Sequence, residues 1–468
     1  MKSLKILSSG ILNLFLQISA YPFTPSGLLE IHTINVQQGA SVLVIGPDGT
    51  TLLMDGGNNG KGVEEIVPYL ESIGLSPEDG LDYMLASHLN ADHCGGLDEV
   101  IEAGYDVQKR IYDNGSDYWT ETVEDFKVSS FWTKAGSPEK ISLGEVIPLG
   151  ECATATCVVV DGEVLGFGKV PNALKDENDR SAGILIEYHY FNYLFAGDLG
   201  GGSDDSLCTN RFTQQVNLET PLAFSLLTPG GADLLDSHGV EVLHVNHHGS
   251  ESSMNSDFMN LLTPQVTLIS VGKGQSSNLN HPRKSVVENV LFAREWCITA
   301  DSALVLQTEE GSPTGTETSY GGYCVGDIRI RTDGLMTYRL EATGEVSQGP
   351  VEIEEALLPR DFSIEEYNRL IPLPDIPGSV LYQNSPNPFT FFTNIRFENP
   401  GKGPLSLKIY DTMGRVVRTL MDEMGEEGIY WIIWDGKDEE GKEVPAGVYL
   451  YQMKGREIEE SKKIIRLR

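Results

Sequence analysis

Apolar positions along the chain fall into short runs separated by polar and glycine-rich punctuation. "SVLVIG" and "TTLLMD" read as two strands joined by the turn signal Pro47-Asp48-Gly49. "GVEEIVPYLESIG" spaces its apolar residues for one face of a helix that stops at Gly74. "LDYMLAS" predicts a buried strand and "LDEVIEAG" the helix after it. Residues 105 to 180, with Trp119 and Trp132, are less regular and read as an insertion or substrate-side lobe. Further strands are expected in "GILIEYHY", "YLFAGD", "VEVLHVN" and "QVTLISVG". Helices are expected in "SDFMNLLT" and from "HPRKSVVENVLF", and "DIRIRTDGLMTYRLEA" predicts a closing hairpin around Asp333-Gly334. Strands and helices thus alternate with hairpins mixed in, which predicts an α/β sandwich with mixed sheets.

After residue 343 the pattern changes. Residues 344–378 are rich in Glu and Pro, the chemistry of a linker. From 379 to 468 only short alternating strands follow, which predicts a small β-sandwich. At the other end, Lys2 and Lys5 precede an apolar stretch closed by Ser19 and Ala20, so residues 1–20 are expected to be a signal peptide, with a buried first helix as the alternative. No later segment has the length to cross a bilayer.

Composition narrows the function. The 468 residues allow two or three domains, and 68 acidic against 34 basic side chains give a net charge of −34. Such a charge excludes broad, non-specific binding to nucleic acid, while leaving room for a local site where metal ions supply positive charge. In an exported protein the six cysteines could pair, Cys152 with Cys157 locally and Cys297 with Cys324 at longer range, but spacing does not set connectivity. No CxxC pair is present, which argues against a cysteine-only zinc site.

Five of nine histidines fall in three clusters: His88 and His93 in "HLNADHCGG", His247 and His248 in "HHGS", and His281 before Pro282. Asp198 ends the apolar run "LFAGDL". Each cluster follows a buried-looking strand, so each sits in a loop at a sheet end, where rigid strands can bring distant ligands together. Imidazole and carboxylate are the usual ligands for Zn, Mn or Fe. Adjacent Asp92 and His93 can point to two sides, Gly95 and Gly96 let the helix start pack closely, and Asp198 can bridge two ions. Two ions about 4 Å apart would generate hydroxide at neutral pH and stabilise a displacement transition state.

These motifs, in this order, resemble the metallo-β-lactamase-fold hydrolases, and within them the nuclease-like domain of DNA-internalisation competence proteins. "IHTINVQQGASVLVIGPDGTTLLMDGG" resembles that branch's opening signature and "NDRSAGILIEY" the stretch before its Asp motif. The resemblance covers about residues 28–343 and implies a four-layer αββα sandwich with the site at one edge. It implies a metal set of His88, Asn90, Asp92, His93, Asp198, His247 and His248, holding one or two divalent ions, zinc first with manganese or iron as alternatives. Asp92, Asp198 and His281 are the candidate catalytic residues, His281 on the substrate side. Of the histidine pair, His247 is favoured as ligand with His248 as its neighbour. Two departures stand out. Relatives carry His or Asp where this chain has Asn90, and Asn35, Gln37 and Ala40 replace the usual residues of the VGQGD-like turn. An amide offers an oxygen without charge, so one ion should bind more weakly.

Among other residues, Asp55 is expected to organise the site through hydrogen bonds. Cys94 reads by default as a packed thiol, with a redox-sensitive neighbour or half a disulfide as alternatives. Asn178 and Ser181 are substrate-side residues or loop caps. His32, His189, His238 and His244 match no motif and read as structural.

The C-terminal stretch, with "NPF", "YDTMGR" and "PAGVYLY" in order, resembles hook-capping Ig modules and type IX secretion sorting domains over residues 379–468. That resemblance implies export through a dedicated machinery and attachment at the cell surface or release. The expected function is therefore a secreted metal-dependent hydrolase using metal-activated hydroxide on a nucleic acid or another phosphodiester. The rival is a secreted metal-binding or adhesive surface protein whose catalytic site has decayed.

Overall fold

The computed structural model describes residues 23–344, apart from 174–175, 204–212, 214, 229–230, 233, 236–238, 274–279, 284–285, 288–302 and 312–321, then 358–364 and, with short gaps, 381–466. The expected signal peptide and most of the helix expected after His281 lie outside these residues.

Two large sheets form residues 29–363. The first runs, in spatial order, Arg360–Ser363, Thr337–Ala342, Ile328–Thr332, Leu29–Thr33, Val42–Ile45, Thr51–Met54, Leu81–Leu85, Val107–Asp113 and Glu139–Lys140. It is antiparallel up to Thr51–Met54 and parallel beyond. The second runs Gly168–Lys169, Glu163–Val164, Ala153–Val160, Gly183–Tyr188, Phe191–Phe195, Val242–His244, Val266–Ile269, Leu304–Gln307 and Tyr323–Cys324, with Val146–Pro148 paired beside Ala153–Val160. Its last four pairings are parallel.

Strand periodicity builds the layers. Val42 and Val44 join Ile184, Ile186, Tyr193 and Phe195 in a core between the sheets. Leu43 and Leu53 point the other way, onto Leu70, Leu97, Val100 and Phe126 of the outer helices. On the far side Leu185, Leu194 and Leu243 pack on Leu222, Phe258 and Leu262. Helix, sheet, sheet and helix make four layers, because a strand buried on both faces is apolar nearly throughout, as Val42–Ile45 and residues 52–54 are.

The stretch from 105 to 180 is not a separate lobe. Val107–Asp113 extends the first sheet and the eight-residue strand Ala153–Val160 lies inside the second. The polar Gln108, Lys109 and Arg110 disguise the first strand, because their positions are half-buried or exposed while Ile111, Tyr112 and Asp113 are buried. The sheet also continues into the Glu- and Pro-rich stretch read as linker: Arg360–Ser363 pairs with Thr337–Ala342, and Tyr338 stacks on Phe362 at 5.1 Å. Its charged residues conceal a short edge strand. "LIPLPDIPGS" lies outside the described residues.

Cys152 and Cys157, expected to bridge, are both free thiols. Cys157 points into the core from its strand whereas Cys152 sits exposed in the preceding turn. Cys297 lies outside the described residues.

The C-terminal unit pairs Val416–Gly425, Gly403–Tyr410, Gly447–Lys454 and Glu459–Arg466 in one sheet and Thr393–Asn399 with Gly428–Trp434 in another. Phe397, Leu407, Ile409, Trp434, Tyr451 and Ile464 form its core. It is a β-rich, Ig-like unit with no helix among the described residues.

Candidate metal centre

The motif loops meet at strand ends. Leu81–Leu85 leads into His88, and a one-turn helix, Ala91–Cys94, carries Asp92 and His93. Its tight exit needs glycine: a Cβ on Gly96 would fall 2.3 Å from the Gly56 carbonyl oxygen. Phe191–Phe195 leads to Asp198, and Val242–His244 leads to the histidine pair.

His247 and His248 both adopt left-handed backbone, at φ 50° and 53°. Each such conformation costs a non-glycine residue about 1–3 kcal/mol, so surrounding bonds must hold it. His247 N donates to Gly197 O and Ser250 N donates back to His247 O. Buried Glu219 accepts from Asn246 Nδ2 at 2.7 Å, Met254 N at 2.8 Å and Asn255 N at 2.6 Å, which clamps the turn on both sides.

The four histidines share one arrangement: Nδ1 is engaged outward and Nε2 points inward. His93 Nδ1 donates to Asp55 Oδ2 at 2.7 Å, and His248 Nδ1 donates to the Ser270 carbonyl at 2.8 Å. Ser87 Oγ gives its proton to Asp55 Oδ2 at 2.7 Å, so it accepts from His88 Nδ1 at 3.2 Å. His247 Nδ1 pairs with Ser252 Oγ at 2.7 Å. Such outer bonds set the tautomer that leaves an inward lone pair.

Inside, His93 Nε2 lies 3.1 Å from Asp198 Oδ1 and 3.3 Å from His248 Nε2. His248 Nε2 is 3.4 Å from Asp92 Oδ2, while His88 Nε2 and His247 Nε2 lie 3.8 and 3.5 Å from Asp198 Oδ2. Two overlapping sets result, His88–His93–Asp198 and Asp92–His93–His248. Four ligands at 2.0–2.1 Å around one ion stand about 3.3 Å apart, so these spacings fit a divalent metal. His88 Nε2 is fully buried with no hydrogen-bond partner, which fits an atom that needs a cation.

Electrostatics agree. Burial opposes charge on Asp198, yet His247, His93 and His248 hold its carboxyl well below the usual range. Burial also opposes charge on His93, but Asp198 and Asp55 raise its pKa well above the ordinary imidazole value. His88 is pushed down to about 3 by burial and by neighbouring His93.

Two expectations change. Asn90, expected among the ligands, belongs to neither set: its Nδ2 donates to Asn178 Oδ1 at 2.5 Å. His248, not His247, completes the set with Asp92 and His93, because two consecutive left-handed residues turn both rings inward and place the second one deeper. His281 lies beside the pair, its ring 5.5 Å from that of His247 and 6.3 Å from that of His248, outside both sets. Burial and those two rings lower its pKa to about 2.

Asp55 hydrogen-bonds Ser87 N as well as Ser87 Oγ and His93, so it organises the loop. Ser181 Oγ accepts from Asp198 N at 3.2 Å and acts as a loop cap. Cys94 is a buried thiol against the Leu89 carbonyl, 3.6 Å away. His32 bonds Tyr69 Oη at 2.8 Å and His244 bonds Tyr193 Oη at 2.9 Å, away from the site, while His238 lies outside the described residues. Glu219 and Ser270 went unnoticed in the sequence. A lone carboxylate opening the apolar run "ETPLAFSLL" is a usable signal; a backbone carbonyl leaves none.

Residues 34–273 match the Metallo-beta-lactamase superfamily, and the chain belongs to it. Members of this superfamily are generally metal-dependent hydrolases. Residues 395–457 match the FlgD Ig-like domain. ComE operon protein 3 of Bacillus subtilis (strain 168) is 21% identical over 316 residues, covering 64% of this chain and 35% of that protein. The chain thus spans about a third of the length of that curated relative. Among solved structures, Zn(2+)-bound PqqB from Methylobacterium extorquens is 13% identical at a TM-score of 0.28, covering 50% of this chain and 75% of that one. PorZ, a surface component of the type-IX secretion system of Porphyromonas gingivalis, is 22% identical at a TM-score of 0.15, covering 19% and 11%.

Proposed function

We propose that the protein is a secreted metal-dependent hydrolase acting on phosphodiesters, with a nuclease-like site. The observation that carries this reading is the set of inward Nε2 atoms around Asp198, two of them only 3.3 Å apart. Facing imidazole nitrogens this close need a proton or a metal cation between them. His93 would hold a divalent ion either with His88 and Asp198 or with Asp92 and His248, its single inward lone pair serving one ion, with His247 beside Asp198. A bound ion would polarise a phosphoryl oxygen and lower the pKa of a water. Asp198 offers one oxygen to His93 and the other to His88 and His247, so it joins the two positions. Asp92, with its side chain 27% exposed, would orient the attacking water. His281 would meet the substrate. Zinc suits this nitrogen-rich set best, with manganese or iron as alternatives.

The phosphodiester reading rests on the motif resemblance to competence-protein nuclease domains and on the weak likeness to ComE operon protein 3. The net charge of −34 favours a small substrate over a long polyanion. Residues 28–343 would be the hydrolase unit and 379–468 an export or surface-sorting tail. Among the described residues no helix is long and apolar enough to cross a membrane.

Metal per chain, measured by elemental mass spectrometry on protein isolated without chelators, tests the proposal, together with turnover of phosphodiester and ester panels. One or two ions, with turnover lost about 1,000-fold or more in a folded His93→Ala variant, are expected. No ion even after zinc or manganese is supplied would leave the rival, a binding protein with a decayed site, which the withdrawn Asn90 favours.

A further inference from the structure

We propose that Tyr118 and Trp119 form an aromatic lip that takes the unpaired base of a small phosphodiester, an inference that rests on the phosphodiester reading above. Both rings are solvent-facing, Tyr118 41% and Trp119 68% exposed. Their segment is also held in place, which distinguishes it from a loose loop tip.

Their segment is pinned at both ends to the metal loop. At one end Glu177 accepts from Leu89 N at 3.1 Å, one residue before Asn90, and from Asn114 Nδ2 at 2.9 Å and Ser116 Oγ at 2.7 Å. Ser116 Oγ in turn accepts from Tyr118 N at 3.0 Å. At the other end Thr122 Oγ1 donates to Asn59 Oδ1 at 3.2 Å, and Asn59 lies so close to Gly95 that a Cβ there would fall 2.5 Å from its amide nitrogen. The pins grip the Ala91–Cys94 helix before and after, so the segment that carries the two rings is tied to the metal loop, in which Asn90 and Asp92 are only half-buried and Ala91 is exposed.

The same turn reaches the centre. Asn178, next to Glu177, bonds Asn90 and brings its Nδ2 to 3.4 Å from His247 Nε2. One carboxylate and one amide thus couple this segment to the ligands. Nothing in residues 114–122 is cationic, and Asp117, Glu121 and the net charge of −34 repel a phosphate track. Recognition here must therefore come from a ring face. Base stacking on an aromatic side chain works without charge and tolerates any base. A mononucleotide diester or very short single strand meets both conditions.

Binding is read by tryptophan fluorescence while the dinucleoside monophosphate of thymidine is titrated into the intact protein. Quenching is expected in the natural protein and in Trp132→Ala, whose ring lies at the far end of the Glu121–Phe131 helix, about 16 Å along. It should vanish in Trp119→Ala. In turnover, Trp119→Ala should raise KM about tenfold for the p-nitrophenyl ester of thymidine 5′-phosphate, with kcat kept and methyl p-nitrophenyl phosphate unaffected. Absent quenching, quenching that survives in Trp119→Ala, or equal loss on both esters would overturn the lip. Trp119-dependent quenching without turnover of either ester would instead retain the lip and sink the hydrolase reading.

Discussion

Asn90 sits in sequence where a ligand is expected and in space one hydrogen bond away from being one. Its partner Asn178 draws the amide aside, so the sets close through Asp198 and the histidine pair. Asn90→His should return an imidazole to that position and tighten binding of the weaker ion by about tenfold, measured by competition with a chromophoric chelator. Unchanged affinity would place residue 90 outside the metal's reach. A second single-residue effect is independent of metal. Burial raises the Glu241 carboxyl from 4.5 to about 7. A carboxyl raised in the folded state binds its proton more tightly there than in the unfolded chain. Its contribution is therefore fully present below about pH 4.5 and is lost as pH rises to about 7. The loss is of the order of 3 kcal/mol. Glu241→Gln should match the natural protein near pH 4 and unfold at a higher temperature at pH 8; parallel melting curves at both pH values would refute this. His88, Asp92 and His93 were legible because they lie within six residues of one loop. The choice between His247 and His248 was not, since it depends on backbone angles that no spacing encodes.

At the level of elements, short apolar runs forecast most core strands, because a strand covered on both faces cannot carry polar residues. The same rule failed where strands are mixed in character, at Val107–Asp113 and Arg360–Ser363. It also gave no hint that the "HHGS" turn needs a brace. Glu219 supplies that brace from the start of a helix 27 residues upstream. Glu219→Ala would leave Asn246 Nδ2 and the backbone amides of Met254 and Asn255 without this carboxylate and relax both left-handed histidines. Metal affinity should fall about 10- to 100-fold while the far-ultraviolet circular dichroism stays that of a folded protein. If affinity held, the turn would be self-supporting.

Over the whole molecule, the first sheet closes with residues that composition assigned to a linker. Arg360–Ser363 covers the edge of Thr337–Ala342, and Ile364 buries its side chain in the inter-sheet core. A chain ending at 343 should therefore be less stable than one ending at 364 by about 2 kcal/mol in denaturant unfolding, and more prone to aggregate through its bared edge. Equal midpoints would show the strand to be ornamental. The sequence by itself determined the mixed α/β sandwich, the Ig-like tail, and the histidine and aspartate types gathered at the centre. Those are written in local periodicity, turn residues and clustered ligand types. Only the tertiary structure decided which nitrogens face inward, that Asn90 is drawn away, that Glu177 ties Asn114 and Ser116 to the metal loop, and where the sheet ends. Each of these depends on groups far apart in the chain meeting at distances near 3 Å, and such meetings leave no periodic trace in sequence.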